Sequence, residues 1–313
     1  MGADWDAKLP LNIEDEDIYE GMAEPPNERK GLTSLSYCLF TFWVLDQQRN
    51  FFHANKGRFA LSWQSNKSLP DSSKDTLIEQ LENGINKNFL QYCDPIKPID
   101  TLIQLLARAL ICGMRMRTLL TPAQSGKTGH VSEEHRSTLL NASMQLLEYN
   151  VAMHSHPSLR SFQWLVTGFF PWQAFMCVLV EMSHGKDSSK AQRIWDLLSD
   201  LYTANASLSE LLEDRRRLHA ARLVVTAWKA CLNNPDTDRS LPNPDFVANL
   251  EARLSEVSTG LAPNIKAKDT PHETVGQSLD PMIPEGFMAE QDFSAAFDFD
   301  FPDIDWSFWN SID

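Results

Sequence analysis

The chain has 313 residues, 42% of them apolar, enough for one large or two ordinary domains with a substantial core. Its net charge of −14 is uneven, because eleven acidic residues and no Lys or Arg follow from Asp269 onward, leaving only −3 to residues 1–268. Neither part has the surplus of cations that binding a phosphate backbone requires, which argues against unaided DNA or RNA binding.

Taken in chain order, the apolar spacing is helical, and no segment alternates with a period of two. Residues 31–54 read as a helix rich in aromatics. Ser72-Ser73-Lys74-Asp75 resembles a capping box that opens a helix running to about residue 90. Pro98 starts a helix to about Leu120, followed by a polar loop over 121–132. Ser132 is the expected N-cap of the next helix, with Leu140, Met144, Leu147 and Val151 on its buried face and Pro157 at its end. The apolar stretch Trp164–Val180 is interrupted by Thr167, Gly168, Pro171 and Gln173, so it predicts a buried helix pair or a kinked core helix rather than a membrane span. Gly185 is a plausible C-terminal cap for it. A helix is expected over 188–204, and Ser207 with Glu210 forms a capping box for another, on which Leu211, Leu218, Val225 and Leu232 recur every seven residues. A last amphipathic piece spans 244–258, and a linker with Pro263, Pro271, Pro281 and Pro284 follows. The expected fold is all-α: a multi-helix bundle of about eight helices with a disordered acidic C-terminal tail.

Motifs for catalysis do not assemble. Gly126-Lys127-Thr128 lacks the glycine of a phosphate loop five positions earlier, where Thr121 stands. His154-Ser155-His156 has no evident third metal ligand. The five cysteines are scattered with no CxxC pair, so reduced core thiols of an intracellular protein are expected. Residues 1–20 are acidic with no apolar core of a signal peptide. No enzyme activity and no cofactor are expected.

The tail, Asp292–Asp313, carries seven large aromatics among six aspartates. Burying the rings would drag unpaired carboxylates out of water, so composition predicts an acidic activation segment whose rings remain available to a partner. Phe297, Phe299, Phe301, Trp306, Phe308 and Trp309 are the expected contacts to a coactivator. Pro302 can begin a helix, and a helix over 301–312 would align Phe301, Ile304, Phe308, Trp309 and Ile312, although Asp305 interrupts that face. The alternative is a scaffolding helical protein whose tail packs on itself or on a partner.

The segment DWDAKLPLNIEDEDIYEGM, with Asp4, Asp6, Leu9, Pro10, Asn12, Asp15, Asp17 and Ile18 at the matching positions, resembles a motif in the regulatory middle domain of fungal zinc binuclear-cluster transcription factors. Phe169–Met182 is similar to that family's aromatic helical segment, with Trp172, Ala174, Leu179 and Met182 matching and Gln173 in place of the usual His. Ala191–Leu198 also fits the pattern. The resemblance covers roughly residues 1–235. It implies a helical regulatory domain over 1–258 lacking the family's first helices, a linker over 259–291 and the activation segment over 292–313.

It also implies a nuclear, pathway-specific activator, of the kind often found with secondary-metabolite genes. Its partners would be transcriptional coactivators and a DNA-binding partner or a second copy, with DNA reached only indirectly and no membrane. The six-cysteine cluster is not in this sequence, so zinc and direct DNA binding are not carried over. Asp4, Asp6, Pro10, Asn12, Asp15 and Asp17 are expected to form an ordered loop whose carboxylates cap or salt-bridge neighbouring helices. Trp43, Trp164 and Trp172 are candidates to line a small-molecule cavity, with plain core packing as the alternative.

Overall fold

A computed structural model describes residues 8–54, 71–124, 133–183, 190–208, 215–233 and 243–258. Among these residues there are nine α-helices and no strand, one more helix than expected. They are α1 (Ser36–Ala54), α2 (Asp71–Asn88), α3 (Pro98–Gln124), α4 (Glu133–Ser155), α5 (Gln163–Val166), α6 (Trp172–Ser183), α7 (Ala191–Ala204), α8 (Arg215–Asn233) and α9 (Asp245–Ser258).

The organising element is α6. Residues 173–180 and Met182 are all buried, as expected for a helix apolar on every side. It packs against α4 and α8, and α4 in turn packs against α3 and α7, while α1 and α2 close over α3. At twelve residues, α6 is about 18 Å long, short of the ~30 Å of a bilayer core. The apolar run is therefore a helix pair, α5 and α6, parted at residues 167–171. No helix among the described residues is long and apolar enough to cross a membrane.

An aromatic layer joins the last elements. Trp195 of α7 meets Trp228 of α8 edge-on at 4.8 Å, and Tyr202 stacks on Phe246 of α9 at 4.6 Å. In the other half, Trp43 lies so closely over α2 that a Cβ at Gly84 would overlap the indole. Gly84 is thus the notch that lets α1 approach α2.

Several boundaries differ from the sequence reading for physical reasons. The first helix starts at Ser36 rather than at residue 31, since Gly31 has φ +98°, a left-handed conformation no α-helix contains. The second already begins at Asp71, so Ser72 sits inside its first turn, where its carbonyl accepts from the Thr76 hydroxyl. The third continues through Pro122 to Gln124, held by the buried Met116 and Leu120 in the preceding turns. The seven-residue recurrence on α8 matches its buried positions only at Val225. Leu232 is exposed, Leu211 lies outside the described residues, and the buried positions are Ala220, Ala221, Val224, Val225, Ala227, Trp228 and Cys231, a 3.6-residue pattern. Ser132, Gly185, Glu210, the linker and the whole tail lie outside the described residues.

Candidate regulatory site

The segment entering α1 has almost no regular structure of its own, so side chains fix its path. Asn12 is the centre. Its Nδ2 donates to the carbonyls of Arg29 and Gly31, both at 2.8 Å, and its Oδ1 accepts from the Thr33 hydroxyl at 2.7 Å. Its backbone carbonyl accepts from the Arg29 N–H at 2.8 Å. One asparagine thus bonds a strand of chain seventeen to twenty-one residues away, using both amide hydrogens and the amide oxygen.

Two carboxylates complete the clamp. The Arg29 guanidinium donates Nε and Nη2 to the two oxygens of Asp17 at 2.6 and 2.7 Å, a bidentate pair. That pairing, together with the Glu14 N–H, holds the Asp17 carboxyl below its ordinary value. Glu14 accepts the Ser34 N–H at 3.1 Å, and hydrogen bonding from Ser34, its side chain first and this N–H second, holds the Glu14 carboxyl below its ordinary value too. At the entrance to α1, the Thr33 N–H donates to Ser36 Oγ at 2.6 Å and the Ser36 N–H returns to the Thr33 carbonyl at 3.0 Å.

The described part of the motif, Leu9 to Ile18, is a loop held by these side-chain bonds, and the expected partners of its carboxylates need one correction. Asp17 pairs with Arg29 of its own loop and not with a neighbouring helix, while Glu14 reaches Ser34 just before α1. Pro10 and Asp15 are exposed on that loop, and Asp4 and Asp6 lie outside the described residues. Sequence reasoning missed Glu14, Arg29 and Thr33, because partners so far along the chain leave no local signature.

A second polar set runs through the core where α4 faces α6. Arg136 on α4 bonds Glu181 on α6 at 2.7 Å, with side chains 8% and 11% exposed. Ser143 and Cys177 meet midway. The Asn150 Nδ2 donates to the Phe169 carbonyl at 2.8 Å, and its Oδ1 accepts from Asn205, beyond α7, at 3.1 Å. Positions 136, 143 and 150 repeat every seven residues and 173, 177 and 181 every four, so each set lies on one helix face. A one-turn slip of α6 would separate Arg136 from Glu181 and Ser143 from Cys177, which makes the seam a register device. At one end Gln173, wholly buried, accepts from Arg117 Nε at 3.4 Å, while its own Nε2 has no partner. Burial pushes the Cys112 thiol up to about 11 and the Cys177 thiol up to about 12, so both remain protonated at neutral pH.

The three tryptophans proposed as cavity lining have three different surroundings. Trp43 fills the Gly84 notch and abuts Phe89, Trp172 packs on Phe170 and Phe175, and Trp164 is 75% exposed on α5. The structure does not gather them at one site, and the exposure of Trp164 removes it from any interhelical cavity. No group of metal-ligating side chains able to hold an ion occurs among the described residues.

Buried polar groups that bond one another, around an enclosed helix, define an all-α body. Its relatives are regulators of transcription by name. The chain is similar to the "Aurofusarin cluster transcription factor aurR2" of Gibberella zeae, 21% identical over 81% of this chain and 38% of that protein. It is similar to the "Transcriptional regulator AacuB" of Aspergillus aculeatus, 23% identical over 72% of this chain and 30% of that protein. It is also similar to the "C6 finger domain transcription factor nscR" of Aspergillus fumigatus, 24% identical over 62% of this chain and 25% of that protein. The chain spans 25–39% of the length of the curated relatives it matches. No protein-family model matches it, and no solved structure does. Its homologues are fungal transcription factors, as the two sequence motifs implied.

Proposed function

We propose that the chain is the regulatory and activating part of a pathway-specific transcriptional regulator of the fungal type, working in the nucleus and serving a secondary-metabolite gene cluster. The observation that carries this reading is the run of matches to transcription regulators, one of them the factor of the aurofusarin cluster, over most of the chain. In this reading residues 1–258 form the regulatory body, 259–291 the linker and 292–313 the activation segment. The body sets the position of the tail, and DNA is reached through other residues or another protein. The chain acts as a regulator and not as an enzyme.

For the tail the support is compositional. Phe297, Phe299, Phe301, Trp306, Phe308 and Trp309 alternate with aspartates, so the rings supply apolar anchors and the carboxylates steer toward a basic rim on a coactivator. Ordering such a segment on binding opposes affinity, and weak, multivalent contact is the expected mode. The test is a reporter driven by the full chain fused to a heterologous DNA-binding domain. Replacing Trp306, Phe308 and Trp309 together by Ala abolishes the signal. A signal that survives the triple substitution rejects the tail as the activating element.

A further inference from the structure

Nine large hydrophobic side chains are exposed among the described residues, and six of them lie in two short segments. Leu9, Leu11, Ile18 and Tyr19 belong to the Asn12 clamp, and Tyr92 and Ile96 to the turn leading into α3. The segments adjoin. A Cβ on Gly31 would stand 3.9 Å from the Tyr92 ring, and the Glu14 carboxyl, lowered first by Ser34, also feels the charge of Lys97.

The clamp explains why this clustering matters. A loop pinned by Asn12, Glu14, Asp17, Arg29 and Thr33 has lost its freedom before any partner arrives, so binding to it loses little further entropy. Asn12, Glu14 and Asp17, half-buried, spend their polar atoms on holding the chain, while Leu9, Leu11, Ile18 and Tyr19 face water. Large apolar side chains left in water on two neighbouring segments, one of them pinned, are the reverse of what folding alone selects and mark an interaction site.

Charge decides the occupant. Residues 8–30 hold seven carboxylates (Glu14, Asp15, Glu16, Asp17, Glu20, Glu24, Glu28) against three cations, of which Arg29 is already taken by Asp17. Two copies would set like charges face to face, which opposes self-association through this patch. We infer that the face formed by residues 9–19 and 92–96 docks a protein segment with an apolar centre and a Lys/Arg rim. This proposal does not rest on the activation reading of residues 292–313.

The probe is a synthetic amphipathic helix with Leu along one face and Lys along the other, titrated into the full chain labelled at Ile and Leu methyls. The expected result is saturable shifts at Ile18 and Ile96. The Ile18→Ser/Tyr19→Ser variant should bind about tenfold more weakly, Trp164→Ser should bind as the unaltered chain does, and the same peptide with Glu for Lys should cause no shift. The Ser34 amide resonance reports whether the clamp survives the double substitution, and Ile96→Ser replaces that variant if it does not. Four results overturn the proposal: shifts confined to Ile304 and Ile312 of the tail, no shift at all, undiminished affinity in the patch variants, or methyl shifts that depend on protein concentration without peptide.

Discussion

Asn12 and Asn150 make nearly the same bonds in opposite surroundings. Each donates Nδ2 to backbone carbonyl oxygen at 2.8 Å and accepts on Oδ1 from another side chain. Asn12 sits in a loop open to water, whereas Asn150 is wholly buried. Water can replace a lost bond at the first and not at the second. The same chemistry therefore sets a chain path in the clamp and helix register in the seam, and only in the seam does the stability of the whole body hang on it.

The largest test of that contrast sets one ion pair against the other. Glu181→Ala leaves Arg136 buried without its main partner and should cost ~3–5 kcal/mol in urea melts. Arg29→Ala breaks a pair whose side chains are 45% and 23% exposed, and the global loss should be under ~1 kcal/mol. Equal losses would mean that the clamp, too, is part of the cooperative core. Next come the asparagines. Asn150→Ala should lower stability by ~1–3 kcal/mol. Asn12→Ala should leave the melt nearly unmoved while displacing the backbone resonances of residues 29–34.

The smallest effect is the response to acid. Because the carboxyls of Glu14 and Asp17 titrate below their ordinary values in the folded chain, their contribution is complete above the ordinary carboxylate range, about pH 4, and is lost as pH falls through the depressed values. An acid titration followed at the Ser34 amide should show the clamp loosening in that window. A resonance that holds steady to the acid limit would contradict the assignment of Glu14 as its acceptor.

How much of this could be read beforehand follows from what each feature depends on. Apolar recurrence on residues 98–120, 132–156 and 244–258 gave helices close to those observed, because burial of one face is a local pattern. The start of α1 was misread because Leu32-Thr33-Ser34-Leu35 looks helical, whereas Gly31 has positive φ and Thr33 is engaged by Asn12. On α8 the seven-residue recurrence coincides with the buried positions only at Val225, because the alanines that do much of the packing carry little apolar weight in a sequence pattern. The seam could have been found, since Arg136, Ser143 and Asn150 interrupt an otherwise apolar face at equal steps. The partners of Asn12 could not, since nothing local selects residues 29–33 before the chain has folded back.

The enclosure of α6 turns it into a natural stopwatch for the molecule. None of its residues from Gln173 to Val180 is open to solvent, so its amides can trade hydrogen for deuterium only when the packing around them comes apart. Their exchange rate is therefore a direct readout of how often the whole body opens, against which the lifetime of every looser part can be timed.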